Sequence, residues 1–287
     1  MRSDRRSWIL PLDDGTVLAG DDQGPPHTPA IVLLHGLASN LRWWDPVATR
    51  LAPRHRVVRI DHRGHGRSTG PATSYTVQRL AADTAAVLDH LDLDRVVLAG
   101  HSAGADIALA VAAASPDRVT AVGCVDGGAY QPRLLLGDTW PAARARMVHA
   151  GPAHTTRDVL AAWLRGSTNL PREALDAVAA NYIDDGRGGL RRRLRVEQQE
   201  ELAYSLWRRN PADVLAALRA PVLLLAAHGG ADTPYAPRAE SVRQAQARVG
   251  DRLRVRWVRG GHDLPLEQPA VVADALANLT ASVGSLV

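Results

Sequence analysis

VLAGHSAGADIALAVAAA, residues Val97 to Ala114, passes from an apolar β-type run into an alanine-rich helical run through five residues centred on Ser102, four of them small. The run over Arg95–Ala99 predicts a buried strand, and Ala103–Ala114 a helix. Gly100, Ala103 and Gly104 remove bulk on both sides of the serine, as a sharp bend requires. Such a bend lifts the Ser102 hydroxyl above the end of the strand. It also leaves a helix N-terminus beneath it, where free N–H groups and the dipole favour negative charge.

Working outward, the same alternation recurs. Strands are expected at Ala30–Leu34, Arg56–Ile60, Val119–Val125, Pro221–Ala227 and Leu253–Val258, and helices at Arg42–Leu51, Thr76–Leu91, Pro237–Val249 and Gln268–Leu279. Strands separated by helices imply a mostly parallel central sheet covered by helices on both faces, an α/β architecture. Trp8–Leu12 and Thr16–Ala19, around Asp13-Asp14-Gly15, read as an antiparallel hairpin at its edge. From about Tyr130 to Pro211 only helical patterns are legible, at Thr139–Val148, Arg157–Leu164, Arg172–Ile183 and Leu194–Arg208. The expected division is therefore a core, residues 1–129 and 212–287, with an all-helical cap over residues 130–211.

With 287 residues, 46% hydrophobic and 22% charged, the composition is that of a globular protein. The longest apolar run, Ile107–Ala114, is too short to cross a bilayer. Trp8–Leu10, after Arg2, Arg5 and Arg6, falls short of a secretory apolar region, so a cytoplasmic location and no membrane partner are expected. The single Cys124 excludes an internal disulfide. The formal net charge is +4, and all 34 basic residues are arginine. The absence of Lys and Phe fits the codon usage of a GC-rich genome. The densest basic run, Arg191–Arg195, is followed by Glu197, Glu200 and Glu201 and reads as a solvated face, with attraction of an anionic substrate to the cap as the alternative, so no nucleic-acid partner is expected.

Gly100-His101-Ser102-Ala103-Gly104 fits G-x-S-x-G in the strand–turn–helix setting of a nucleophile elbow. His35-Gly36-Leu37 follows another strand and offers the Leu37 N–H, with that of Ala103, to an oxyanion. Gly260-Gly261-His262-Asp263 follows the last strand, so His262 can reach the same sheet edge as Ser102 and act as its base. Asp61 to Ser68, DHRGHGRS, reads as a structural loop; His62 and His65 lack the spacing of a metal site.

The order HGL, DHRGHGRS, GHSAG, helical insertion, GGHD resembles the α/β-hydrolase fold family, of the capped esterase and lipase type, and covers nearly the whole chain apart from the cap. The resemblance implies a Ser–acid–His order. Two acids qualify: Asp126, at the end of Val119–Val125, and Asp232, in the G-x-x-D string after Pro221–Ala227. A strand-end position fixes a carboxylate better, and VDGG with GGHD is similar to a family subset using the earlier strand, which favours Asp126. Trp43, Trp44, His101, Trp140 and Trp163 are expected to line the pocket. The reading is a serine hydrolase that cleaves an ester, lactone or thioester of a small to medium, largely apolar substrate via an acyl-enzyme, with no cofactor and no metal. The fold also hosts C–C bond-cleaving or cyclising enzymes and ligand receptors. The oligomeric state is not legible.

Overall fold

A computed structural model describes residues 5–148, 155–167, 172–229 and 235–284. Its centre is an eight-stranded sheet in the order β1-β2-β4-β3-β5-β6-β9-β10. These strands are β1 (Arg6–Pro11), β2 (Val17–Gln23), β3 (Ala30–Leu34), β4 (Arg56–Asp61), β5 (Val96–His101), β6 (Val119–Val125), β9 (Val222–Ala227) and β10 (Leu253–Val258). β1 and β2 pair antiparallel at one edge, β2 joins β4 antiparallel, and all other pairings are parallel.

Alternation along each central strand divides the interior into two layers. Ala30, Val32 and Leu34 of β3, with Val96 and Leu98 of β5, face one layer; it is closed by α2 (Val77–His90), α3 (Ala103–Ala114), α9 (Pro211–Ala217) and α10 (Ala236–Val249). Ile31 and Leu33, with Val97 and Ala99, face the other, closed by α1 (Asp45–Leu51) and α12 (Pro269–Gly284). A strand buried on both faces has to be apolar throughout, which is why AIVLL and VVLAG read as unbroken runs.

Two helix starts fall later than the periodicity suggests. Leu41–Trp44 is a 3-10 turn capped by the Asn40 side chain, and α1 begins at Asp45. Pro269 opens α12 after the short α11 (Leu264–Glu267). In both, a proline without an N–H donor can sit only in the first helical turn.

Between β6 and β9 lie α4 (Pro132–Leu136), α5 (Trp140–Met147), α6 (Arg157–Ser167), α7 (Arg172–Ala179) and α8 (Val196–Trp207). The expectation of helices alone needs correction: β7 (Tyr182–Asp184) and β8 (Leu190–Arg192) form an antiparallel hairpin where the periodicity predicts a helix through Ile183. The Asp184 carboxylate accepts from the Gly186 N–H at 2.7 Å, and that of Asp185 from Arg187 and Gly189 at 2.8 and 3.0 Å. These Asp–Gly turns reverse the chain and pull Tyr182 and Ile183 into a strand. No helix among the described residues is long and apolar enough to cross a membrane.

The loop DHRGHGRS is built as a bracket at the end of β4. The Asp61 carboxylate accepts from the N–H groups of Leu41 (2.8 Å) and Arg67 (3.0 Å). Arg63, wholly buried, forms a two-pronged pair with Asp83 of α2 at 2.5 and 2.7 Å. Ser68 links the Asp61 carbonyl (2.5 Å) to the Ala19 N–H (2.8 Å). These bonds tie β2, β4 and α2 together below the loop that carries Leu37.

Candidate active site

Ser102 lies between β5 and α3 with φ 52° and ψ −123°. A side-chain-bearing residue reaches that left-handed region only when its surroundings hold it there. The hold is close packing of backbone on backbone. A Cβ on Gly104 would lie 2.2 Å from the Leu34 carbonyl oxygen, and one on Gly127 2.3 Å from that of Ser102. The Ser102 N–H donates to the Val125 carbonyl at 3.0 Å, which sets the serine beside the end of β6.

Asp126 follows β6, also at positive φ (46°), and its N–H donates to the Leu225 carbonyl at 2.8 Å. The carboxylate is buried and fully engaged. Oδ1 accepts from Tyr130 Oη (2.7 Å), Arg238 Nη1 (2.8 Å) and the Ala227 N–H (3.0 Å); Oδ2 accepts from His262 Nδ1 at 2.6 Å. Burial alone would raise its pKa. The bond and charge of His262, followed by Arg238 and the Ala227 N–H, outweigh burial and hold the carboxyl below its ordinary range. His262 moves the opposite way: burial pulls its pKa down, but the bond and charge of Asp126, with Asp263 behind, hold it above 6.5. The Tyr130 hydroxyl, buried against Asp126, is pushed well above its usual range and stays a donor.

His101, expected at the pocket, is among the residues that line a cavity beside Ser102 and His262. Buried, it donates from Nε2 to the His262 carbonyl at 2.8 Å, tying the loop after β10 to the turn that carries Ser102. Two further histidines hold the Leu37 loop. His35 donates from Nδ1 to the Gly36 carbonyl (2.8 Å) and accepts the His62 N–H at Nε2 (3.1 Å). His65 donates to the Arg63 carbonyl (2.8 Å) and accepts the Ala38 N–H at Nε2 (3.2 Å). Both rings must be neutral with the proton on Nδ1 to serve in this way. Burial enforces it, pushing His65 down to about 4 and His35 well below 6.5, the latter with help from neighbouring His62 and His65. Ala38 stands at φ 54° in the loop so held.

Among the described residues, neither the Leu37 N–H nor that of Ala103, first residue of α3, has an internal acceptor. Both residues line, with Ser102, Asp126 and His262, a cavity of about 520 Å³. Its apolar wall includes Leu135, Leu136, Met147 and Leu206, and Arg146, Arg192 and Arg238 also reach it. A smaller cavity of about 170 Å³ on the other side of Ser102 and His262 is lined by Trp43 and Tyr182. Chemically, an imidazole oriented by a buried carboxylate at a cavity that a half-buried hydroxyl also lines can take up and return that hydroxyl's proton, while two free N–H groups can receive an oxyanion. No hydrogen bond joins Ser102 Oγ to His262 among the described residues; such links tighten when substrate arrives.

Three of the tryptophans expected at the pocket are elsewhere. Trp44 is fully buried in the layer beneath α1 and α12. Trp140 packs edge-on to Tyr204 at 5.0 Å and against Trp207 at 5.9 Å, on α8. Trp163 is 46% exposed on α6 and lines neither cavity. Asp232, the alternative acid, lies outside the described residues. Tyr130 and Arg238 are site residues that no motif marks in the sequence. Arg238 is 112 positions from its partner Asp126, and nothing local announces such a pair.

A family model described as the alpha/beta hydrolase fold matches residues 29–269. The chain is 30% identical over 249 residues to a RutD protein of Klebsiella pneumoniae (strain 342), named for carbamate hydrolysis; the match covers 83% of this chain and 85% of that one. It is 33% identical over 166 residues to 2-(acetamidomethylene)succinate hydrolase of Mesorhizobium japonicum, covering 57% of this chain and 58%, less than two thirds, of that relative. Among solved structures, E-2-(acetamidomethylene)succinate hydrolase superposes with a TM-score of 0.79 at 24% identity over 96% of this chain and 98% of that one. The thioesterase domain of the curacin biosynthetic pathway superposes with 0.77 at 20% identity over 95% and 99%.

Proposed function

The chain belongs to the α/β-hydrolase fold family, and from that membership we propose that it is a serine hydrolase cleaving an acyl bond through an acyl-enzyme, with Ser102 as nucleophile, His262 as base and Asp126 as the acid that orients it. The observation that carries the proposal is the 2.6 Å bond from His262 Nδ1 to Asp126 Oδ2, at the wall of the cavity that Ser102 also lines. With its Nδ1 proton held there, the imidazole turns Nε2 to the proton of Ser102.

Ser102 Oγ attacks the substrate carbonyl as His262 takes up its proton. The tetrahedral oxyanion is received by the N–H groups of Leu37 and Ala103. His262 then protonates the leaving group, and the acyl-serine remains. Water, deprotonated by the same imidazole, releases the acid and restores the serine. Residues 130–211 act as the cap that closes the cavity above. Relatives named for carbamate and acetamidomethylene-succinate hydrolysis support acyl-bond cleavage as the reaction class. The chemistry calls on no cofactor.

The test is labelling with a fluorophosphonate, with peptide mapping, together with turnover of 4-nitrophenyl esters. Labelling at Ser102, and at least about a thousandfold loss of kcat in Ser102→Ala with an unchanged circular dichroism spectrum, is expected. A Ser102→Ala protein as active as the parent overturns the reading.

A further inference from the structure

Of the three arginines that line the main cavity, two have no carboxylate partner among the described residues. Arg238 is matched by Asp126 at 2.8 Å. Asp106, the other acid lining the cavity, is matched by Arg209 at 2.5 Å. Arg146 of α5 donates from Nη1 to the Leu135 carbonyl at 2.9 Å, and Arg192 of β8 donates from Nε to Tyr182 Oη at 3.3 Å. Neither has a carboxylate partner among the described residues.

Both stand on elements between β6 and β9 and line the cavity together with Ser102 and with apolar Leu135, Leu136 and Met147. Arg146 is exposed and Arg192 half-buried with its guanidinium 5.6 Å from the centre of the Tyr182 ring, so each is held at the cavity with donors to spare. A planar guanidinium uses such donors best in a forked bond to a carboxylate. A phosphate would ask for a denser cradle of hydroxyl or glycine N–H donors, and the lining residues from α4, α5 and β8 (Pro132, Leu135, Leu136, Arg146, Met147 and Arg192) include neither a hydroxyl nor a glycine.

We infer that the substrate is a monoanion: an acyl compound with a short apolar body whose far end carries a carboxylate, received by Arg146 and Arg192 while the scissile carbonyl lies at Ser102. The inference deepens the hydrolase reading and rests on it for the position of the scissile bond, but the anion preference is measurable without turnover. On this inference the substrate is amphipathic, where the sequence led to the expectation of a largely apolar one.

The experiment uses the full-length Ser102→Ala protein, titrated calorimetrically with monoethyl adipate and with diethyl adipate, the same skeleton with and without the charge. The monoanion is expected to bind at least about tenfold tighter, and that preference is expected to collapse in Ser102→Ala backgrounds carrying Arg146→Gln or Arg192→Gln. Arg192→Lys, which keeps the charge and loses the fork, should retain part of it and serves if Arg192→Gln folds poorly. Equal affinity for the two esters, binding of neither, or a preference untouched by every arginine substitution overturns the inference. A parent enzyme that turns over no ester while the anion preference stands would sink the hydrolase reading alone.

Discussion

At Asp126 one carboxylate meets four donors, and its conformation is one that few aspartates adopt. The left-handed φ is sustained because the strand ends of β6 and β9 hold the residue through its N–H and its side chain at once. Asp126→Asn keeps the volume but removes the charge and the preference for the Nδ1–H form of His262. It is expected to lower kcat/KM by roughly 10³–10⁴ at neutral pH. The pH profile separates a charge effect from simple damage. His262 must be neutral to act as base, so activity should rise with pH through a pKa above 6.5 in the parent. Because Asp126 is what raises that pKa, the rising limb of the residual activity in Asp126→Asn should move to lower pH; a limb that stays in place would rule out this coupling. Ser102 and His262 were legible because a polar side chain set among glycines at the end of an apolar strand adds nothing to packing and points to chemistry. Asp126 competed with Asp232 because either can follow a strand. Tyr130 and Arg238 were invisible, since their value lies only in where folding brings them.

At the scale of elements, the site depends on how closely α3 approaches β3. Gly104 faces the Leu34 carbonyl so tightly that a single methyl would sit 2.2 Å away, against backbone on both sides. Gly104→Ala therefore has to push the helix off the sheet rather than turn a side chain aside. A loss of about 3 kcal/mol or more in urea denaturation is expected, with fluorophosphonate labelling lost as the Ser102 turn opens. Near-parental stability would mean that the helix can slide without cost. The helices and strands around this contact were legible from periodicity to within a few residues, and α3, β6 and β10 at both ends. The β7–β8 hairpin was not. Three-residue strands are too short to show a period, and their Asp- and Gly-rich turn resembles a linker between helices. That hairpin positions Arg192, so the sequence could not tell which arginine of a run that reads chiefly as a solvated face lines the cavity.

At the scale of the molecule, four histidines among the described residues are folded into the interior as neutral rings: His35, His62, His65 and His101. Burial, the largest cause in each, holds His62 and His101 at about 3 and His65 at about 4, with His35 well below 6.5. Between those values and 6.5 the unfolded chain takes up protons that the folded one refuses. Their stabilisation is thus complete above about pH 6.5 and declines as pH falls, by about 1.4 kcal/mol per pH unit for each ring. Asp61 and Asp106, whose pKa values are raised by burial, pull the other way and reduce the slope. The free energy of unfolding in urea is expected to drop by several kcal/mol between about pH 7.5 and about pH 5; a flat profile over that span would contradict neutral buried rings. Apolar runs, their spacing and the glycines at the turns sufficed, by themselves, to specify a doubly covered, mostly parallel sheet and to bring Ser102 and His262 to one edge of it, because burial and backbone sterics act on near neighbours in sequence. Which aspartate stands behind His262, which tryptophans reach the cavity and which arginines line it were decided only by the tertiary structure. Those are pairings between residues up to 136 positions apart, and only the packed chain sets the distances on which Coulomb and hydrogen-bond energies depend.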